Sequence, residues 1–136
     1  MGARHSGREA ALQMLFSMEA TGQSAEDTIA EFWRTFEADP EGRAYAEDIV
    51  RGVETDRAKL DELITKQSTN WRIERMSRVD RNLLRLATWE LRSRTDVPRA
   101  VILDEAVELA KTFGSESSPS FVNGVLDAMA DALERT

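Results

Sequence analysis

The stretch Asp104-Glu105-Ala106-Val107-Glu108-Leu109-Ala110-Lys111-Thr112-Phe113-Gly114, followed after a serine-rich turn by Phe121-Val122-Asn123-Gly124-Val125-Leu126-Asp127, decides the fold. Leu103, Ala106, Leu109, Ala110 and Phe113 recur at helical spacing, and Gly114 ends the run. Ser118 with Pro119 reads as a cap followed by a first-turn proline. Phe121, Val122, Val125, Leu126, Met129 and Leu133 then form a second helical stripe. Two helices hinged at one loop are the expected result.

Working outward, Met76-Ser77-Arg78-Val79-Asp80-Arg81-Asn82-Leu83-Leu84-Arg85-Leu86-Ala87-Thr88-Trp89-Glu90-Leu91 predicts a helix capped by Ser77, with Asp80 completing a short version of the capping box. Val79, Leu83, Leu86, Ala87 and Leu91 should be buried, with Arg78, Arg81, Arg85 and Arg92 lining the opposite side. Pro98 opens the next helix. Near the start, Ser6 is expected to cap a helix carrying Ala11, Met14, Leu15 and Met18 and closed by Gly22, whose missing Cβ suits the left-handed position. Ser24 caps a second helix with Ile29, Phe32, Trp33 and Phe36 as its buried stripe, and Asp39-Pro40-Glu41-Gly42 is a turn. A third helix holds Tyr45, Ile49, Val50 and Val53. A break near Thr55-Asp56 then separates it from a fourth with Leu60, Leu63 and Ile64. Trp71, Ile73 and Met76 read as an apolar connector. No segment alternates with period two, so the expected fold is all-α with about seven helices in one folding unit, residues 1–136.

Composition narrows the function. A net charge of -7 argues against a protein that coats nucleic acid by neutralising phosphates. The charge is uneven: residues 9–62 hold 14 acidic and 5 basic side chains, whereas residues 71–99 hold 8 arginines against 4 acids, so any RNA site must be local. Without cysteine there is no disulfide framework, thiolate metal site or thiol nucleophile. No apolar run approaches the ~20 residues that span a bilayer, and the first eight residues lack a secretory apolar run. A soluble cytoplasmic protein is expected.

Catalytic chemistry finds little support. The single histidine, His5, falls in an N-terminal tail expected to fray, and there is no phosphate-cradling glycine loop and no His-rich metal spacing. Neither cofactor nor metal is expected. Asp104, Glu105 and Asp80 read first as helix-start acids that complement the dipole. Glu90 falls inside the apolar arc of its helix and needs a partner, with Arg8 and Arg75 as candidates for a structural ion pair. Basic residues gather in two places. Arg4, His5 and Arg8 sit where the first helix begins and free N–H groups favour phosphate. The arginine stripe from Arg78 to Arg92 reads either as the solvated face of an amphipathic helix or as an RNA contact. Trp33, Phe32 and Phe36 read as core; Phe113 and Phe121, flanking the late turn, read as core pegs or interface anchors.

These blocks, together with Arg8-Glu9-Ala10-Ala11-Leu12-Gln13-Met14-Leu15-Phe16, resemble in order and spacing the NusB family of bacterial transcription antitermination factors; residues 22–70 match in helical pattern alone. The resemblance implies a non-catalytic adaptor of two packed helical subdomains, approximately 1–70 and 71–136. It implies pairing with the small-subunit ribosomal protein that doubles as NusE, on single-stranded boxA RNA of ribosomal RNA transcripts, within the complex that helps RNA polymerase resist termination. It further implies RNA contacts at Arg4 and Arg8, with His5 at a position often basic; Arg78 and Arg81, at the start of the arginine stripe, are a second candidate on the residues alone. Phe16, Asp80, Phe113, Ser117 and Phe121 correspond to positions at or near the ribosomal-protein and RNA surface. Here the N-terminal arginines are sparse, Ser117 stands where some relatives carry an acid, and Ser120 where many carry lysine, so weak RNA affinity is expected of the chain alone. Two alternatives are the NusB-like domain that precedes the catalytic domain of ribosomal RNA cytosine methyltransferases, and a structural dimerisation module, since some relatives self-associate.

Overall fold

The computed structural model describes residues 2–136. Six α-helices follow one another: α1 (Ala3–Thr21), α2 (Ala25–Phe32), α3 (Pro40–Gln67), α4 (Arg78–Ser93), α5 (Arg99–Phe113) and α6 (Ser118–Ala132), with one 3-10 turn at Ile73–Arg75. No strand occurs among the described residues. The all-α expectation holds, and the count differs by one because the break expected near Thr55-Asp56 is absent. Thr55 and Asp56 are weak helix formers, but each costs less than about 0.7 kcal/mol relative to alanine. Residues 53–67 contain neither glycine nor proline, so the hydrogen-bond ladder runs on. By backbone contacts the chain forms two compact units, one ending at Thr55 and one beginning at Asp56. α3 passes through that boundary unbroken.

In the first unit α1 begins earlier than Ser6 suggests. Gly2 is its N-cap and Ser6 lies exposed inside the helix. Two glycines permit this: a Cβ on Gly7 would meet the Gly42 carbonyl oxygen at 2.7 Å, and one on Gly42 would meet that of Ala3 at 2.9 Å. Close backbone approach to the start of α3 therefore orders the first turn. Gly22 takes the left-handed cap at φ 77°, as its residue type predicts. Ser24 Oγ accepts from the Asp27 N–H at 3.1 Å, and Glu54 accepts from the Ala25 N–H at 2.7 Å. Arg51 reaches Glu26 through two hydrogen bonds, which hold the Glu26 carboxyl below its ordinary range.

The buried stripe expected of Phe32, Trp33 and Phe36 is corrected by the structure. α2 stops at Phe32, the helical period stops with it, and the three rings form a half-buried cluster with centroids 4.7 to 6.3 Å apart. Arg43 lies 4.9 Å over Trp33, whose indole N–H donates to Glu47 at 3.0 Å.

In the second unit α4, α5 and α6 pack on one another. Ser77 caps α4 by accepting from the Asp80 N–H at 3.1 Å. Every residue of α4 from Asn82 to Leu91 is buried. The expectation of an exposed arginine side therefore fails at Arg85, whose side chain is 5% exposed and paired with Asp61 through contacts of 2.7 and 3.0 Å. Helical periodicity separates polar from apolar faces; it does not reveal that a polar face is covered by an ion-pair partner 24 residues away. Arg99 ties the start of α5 to Asp127 and Asp131 of α6, both at 2.8 Å.

Candidate functional site

Three loop segments of the second unit converge on one cavity of about 400 Å³. Trp71, Arg75, Met76 and Ser77 come from the segment before α4, Asp80 from its first turn, and Ser117, Ser120 and Phe121 from the start of α6. Each segment is fixed from within. Ser68 Oγ donates to the Trp71 carbonyl at 2.9 Å. Arg81 donates to the carbonyls of Ile73 and Met76, at 3.1 and 2.7 Å, and so clamps the 3-10 turn. On the α6 side, a Cβ on Gly114 would meet Ser118 Oγ at 2.5 Å, so glycine alone lets the serine turn close. Ser118, expected as a cap, is instead the first helical residue, wholly buried, and accepts from the Ser115 N–H at 2.9 Å. That turn leaves Ser117 exposed and Phe121 half-buried.

The cavity joins chemically different groups. Trp71 is 57% exposed and meets Phe121 edge-on at 6.4 Å with an 81° interplanar angle. Asp80 presents a carboxyl oxygen, Oδ1, that is buried without a hydrogen-bond partner. Arg75 is exposed. Glu90 is buried at 1% exposure, as its place in the apolar arc of α4 predicts. Trp71 and Arg75 were not legible as site residues: the tryptophan passed for part of an apolar connector, and only its position in a Ser-Thr-Asn turn hinted otherwise.

The remaining candidates are distributed more widely. Phe113 is half-buried at the end of α5, and Arg78 is exposed in the first turn of α4. Phe16, on α1 in the first unit, is 39% exposed and Arg4 stacks on Tyr45 at 5.0 Å while remaining partly open to solvent. Arg4 also approaches Glu41 at 3.9 Å. His5 is not in a frayed tail; it is half-buried in the first turn of α1, with Nε2 4.0 Å from Glu9. Arg8 is 3% exposed, lies over Tyr45 at 5.1 Å and donates to its hydroxyl at 3.2 Å. The first turn of α1 carries no acid, so the positive end of its dipole is open to an anion.

Among the described residues no group of three or more His, Cys, Asp or Glu is placed to hold a metal ion, and no helix is long and apolar enough to cross a membrane. An all-helical chain that presents an aromatic cavity with a carboxyl oxygen and arginine has the build of a recognition module. Residues 5–131 match the NusB family, and the chain belongs to it. It is 66% identical over 135 residues to the transcription antitermination protein NusB of Sorangium cellulosum, covering 99% of this chain and 96% of that protein. It is 46% identical over 139 residues to that of Myxococcus xanthus, covering 99% of both. Among solved structures it superposes on NusB of T. maritima with a TM-score of 0.85 at 36% identity, covering 94% of this chain and 90% of that one. It also superposes on a chain of the crystal structure of antitermination factors NusB and NusE in complex with dsRNA, with a TM-score of 0.87 at 26% identity, covering 97% and 98%.

Proposed function

We propose that this protein is a cytoplasmic transcription antitermination adaptor. It pairs with a NusE-type small-subunit ribosomal protein on single-stranded boxA RNA of ribosomal RNA transcripts and keeps RNA polymerase processive. The observation that carries the reading is the superposition, across 97% of the chain, on a structure of NusB and NusE with RNA. The antitermination proteins it matches are covered over 96 to 99% of their own length, which favours this reading over the methyltransferase-linked domain. The protein works by binding, and no residue is assigned a catalytic step.

Within this reading Arg4 and His5 hold RNA phosphates at the open end of the α1 dipole. Arg78 is a second cationic contact. Arg8 and Arg81 serve the same surfaces by support, one gripping Tyr45 and the other clamping the loop before α4. Phe16 on the first unit is a contact for the ribosomal protein or RNA, and on the second unit Asp80, Phe113, Ser117 and Phe121 are contacts of the same kind. Mass in solution tests the assembly. The chain mixed with the NusE-type protein and boxA RNA should give one complex with one copy of each; failure to bind the ribosomal protein under any salt condition would remove the adaptor reading in favour of a self-associating module.

A further inference from the structure

Net charge is not spread evenly over this chain. Residues 19–54 hold ten acids against three arginines, while the rest of the sequence holds 15 acids and 15 Lys or Arg, so the whole net charge of -7 belongs to that segment. Two of the three arginines are already engaged, Arg51 with Glu26 and Glu47, and Arg43 over the Trp33 ring. The segment lies in the first unit, where a cavity of about 270 Å³ opens between the end of α1 and the end of α2. Its lining is built of acceptors: the Ser17, Thr21 and Thr35 hydroxyls, the Gln23 side chain and the Glu31 carboxylate, beside the half-buried ring of Phe32. No Lys or Arg lines it. The turn that shapes it is fixed from within. Thr21 Oγ1 donates to the Ser17 carbonyl at 2.8 Å and accepts from the Gln23 N–H at 3.2 Å, and Gln23 Nε2 donates to Glu31 at 3.1 Å. This last bond holds the carboxylate at the cavity without neutralising it.

An alkyl chain ending in an ammonium group answers each of these features, because its methylenes cover an aromatic ring while its three N–H donors meet a carboxylate and hydroxyl oxygens. We infer that this cavity takes a lysine side chain from a basic protein segment, with Phe32 against the methylenes and Glu31 receiving the ammonium group, and that the acids of residues 19–54 draw the segment in. A small free amine would need the cavity alone. Gathering the chain's entire net charge around it fits a partner that carries several cations along its length. The neighbouring rings extend the surface. Phe36 and Trp33, both half-buried, lie 4.7 and 5.1 Å from Phe32, and Arg43 over Trp33 shows that a cation is accepted there. Glu37 is exposed one residue beyond Phe36, against the single cation of that turn, Arg34. Lysine suits the cavity better than arginine: a compact ammonium with rotatable donors meets hydroxyls at several angles, whereas a planar guanidinium asks for a flat bidentate acceptor. None of these residues is assigned to RNA or to the ribosomal protein above.

Anisotropy with a labelled dodecapeptide of alternating lysine and glycine, at about 0.15 M salt and without RNA or ribosomal protein, tests it. The chain should bind the peptide saturably. Acetylating the lysines, which keeps the methylenes and removes the charge, should abolish binding. Glu31→Gln should weaken it roughly tenfold, since it removes a charged acceptor. Asp48→Asn, which removes the same unit of charge at an exposed position outside the cavity, should change it by less than about twofold. Thr35→Lys should block the peptide by filling the cavity from within. All three residues are exposed, so melting temperatures should stay near that of the unsubstituted chain. Amide chemical shifts, which need no variant, should move on peptide addition at Thr21, Gln23 and Thr35. Equal losses in Glu31→Gln and Asp48→Asn would show diffuse attraction and overturn the cavity as the site. Equal binding of an arginine–glycine dodecapeptide would overturn the choice of lysine. Shifts confined to other residues, or no binding by the unsubstituted chain, would overturn the inference while leaving the RNA reading untouched.

Discussion

Arginines that are indistinguishable in sequence do different work in this fold. Arg85 is itself buried and pairs through two hydrogen bonds with the half-buried Asp61, with Asn82 also accepting at 3.2 Å, so it belongs to the interior. Removing one member of such a pair strands the other charge. Asp61→Ala should therefore cost about 3 kcal/mol of unfolding free energy, read by denaturant titration, with RNA affinity of the refolded protein unchanged. Arg4 and Arg8 should separate in the same way. Arg4→Ala should flatten the dependence of log K on log salt by ~0.7, the share of one phosphate contact on a single strand, without altering the melting temperature. Arg8→Ala should lower the melting temperature, because it removes a buried stack on Tyr45. Equal effects of the two on the salt slope would mean that Arg8 leaves Tyr45 to reach RNA. Periodicity placed Glu90 correctly in the buried arc, but a partner distant in sequence, such as Asp61 for Arg85, has no local signature. The same limit hid the cavity, since Trp71, Asp80 and Phe121 meet only after three segments fold together.

At the scale of single elements, caps were the most legible features. Ser24, Ser77 and Gly22 perform the roles their residue types predict, because each depends on bonds within one turn. Starts and stops that depend on packing were not legible. Ser6 is bypassed because Gly7 and Gly42 let α1 begin against the start of α3, and Ser118 gives up the cap position to close the turn with Gly114. The unbroken α3 makes a sharp expectation. Thr55→Pro would remove one hydrogen bond and clash with the preceding turn, costing about 3 kcal/mol or more. Circular dichroism and thermal melts check this, and a mild effect would mean that the hydrogen-bond ladder is already interrupted at Thr55. Gly114→Ala should loosen the serine turn, since the added methyl meets Ser118 Oγ at 2.5 Å. The melting temperature should fall, and an unchanged one would mean that the turn absorbs the methyl group without strain.

Across the whole molecule, a net charge of -7 leaves the chain few ways to hold a polyanion by itself. Many of its cations already face acids: Arg51 pairs with Glu26 and Glu47, Lys66 with Glu62 and Lys111 with Glu108, and Arg4 lies 3.9 Å from Glu41. The order and spacing of three sequence blocks were enough to read the family and the helical class, because each block combines helix period with fixed turn residues. The extent of the RNA surface was not readable, because it depends on what the ribosomal protein adds. The central claim is that RNA binding belongs to the pair. Anisotropy with labelled boxA RNA, measured for this chain with and without its NusE-type partner at one fixed salt concentration, tests it most directly. The account predicts weak binding by the chain alone and at least roughly tenfold tighter binding by the pair, a coupling of about 1.4 kcal/mol; equal affinity in the two cases would contradict it.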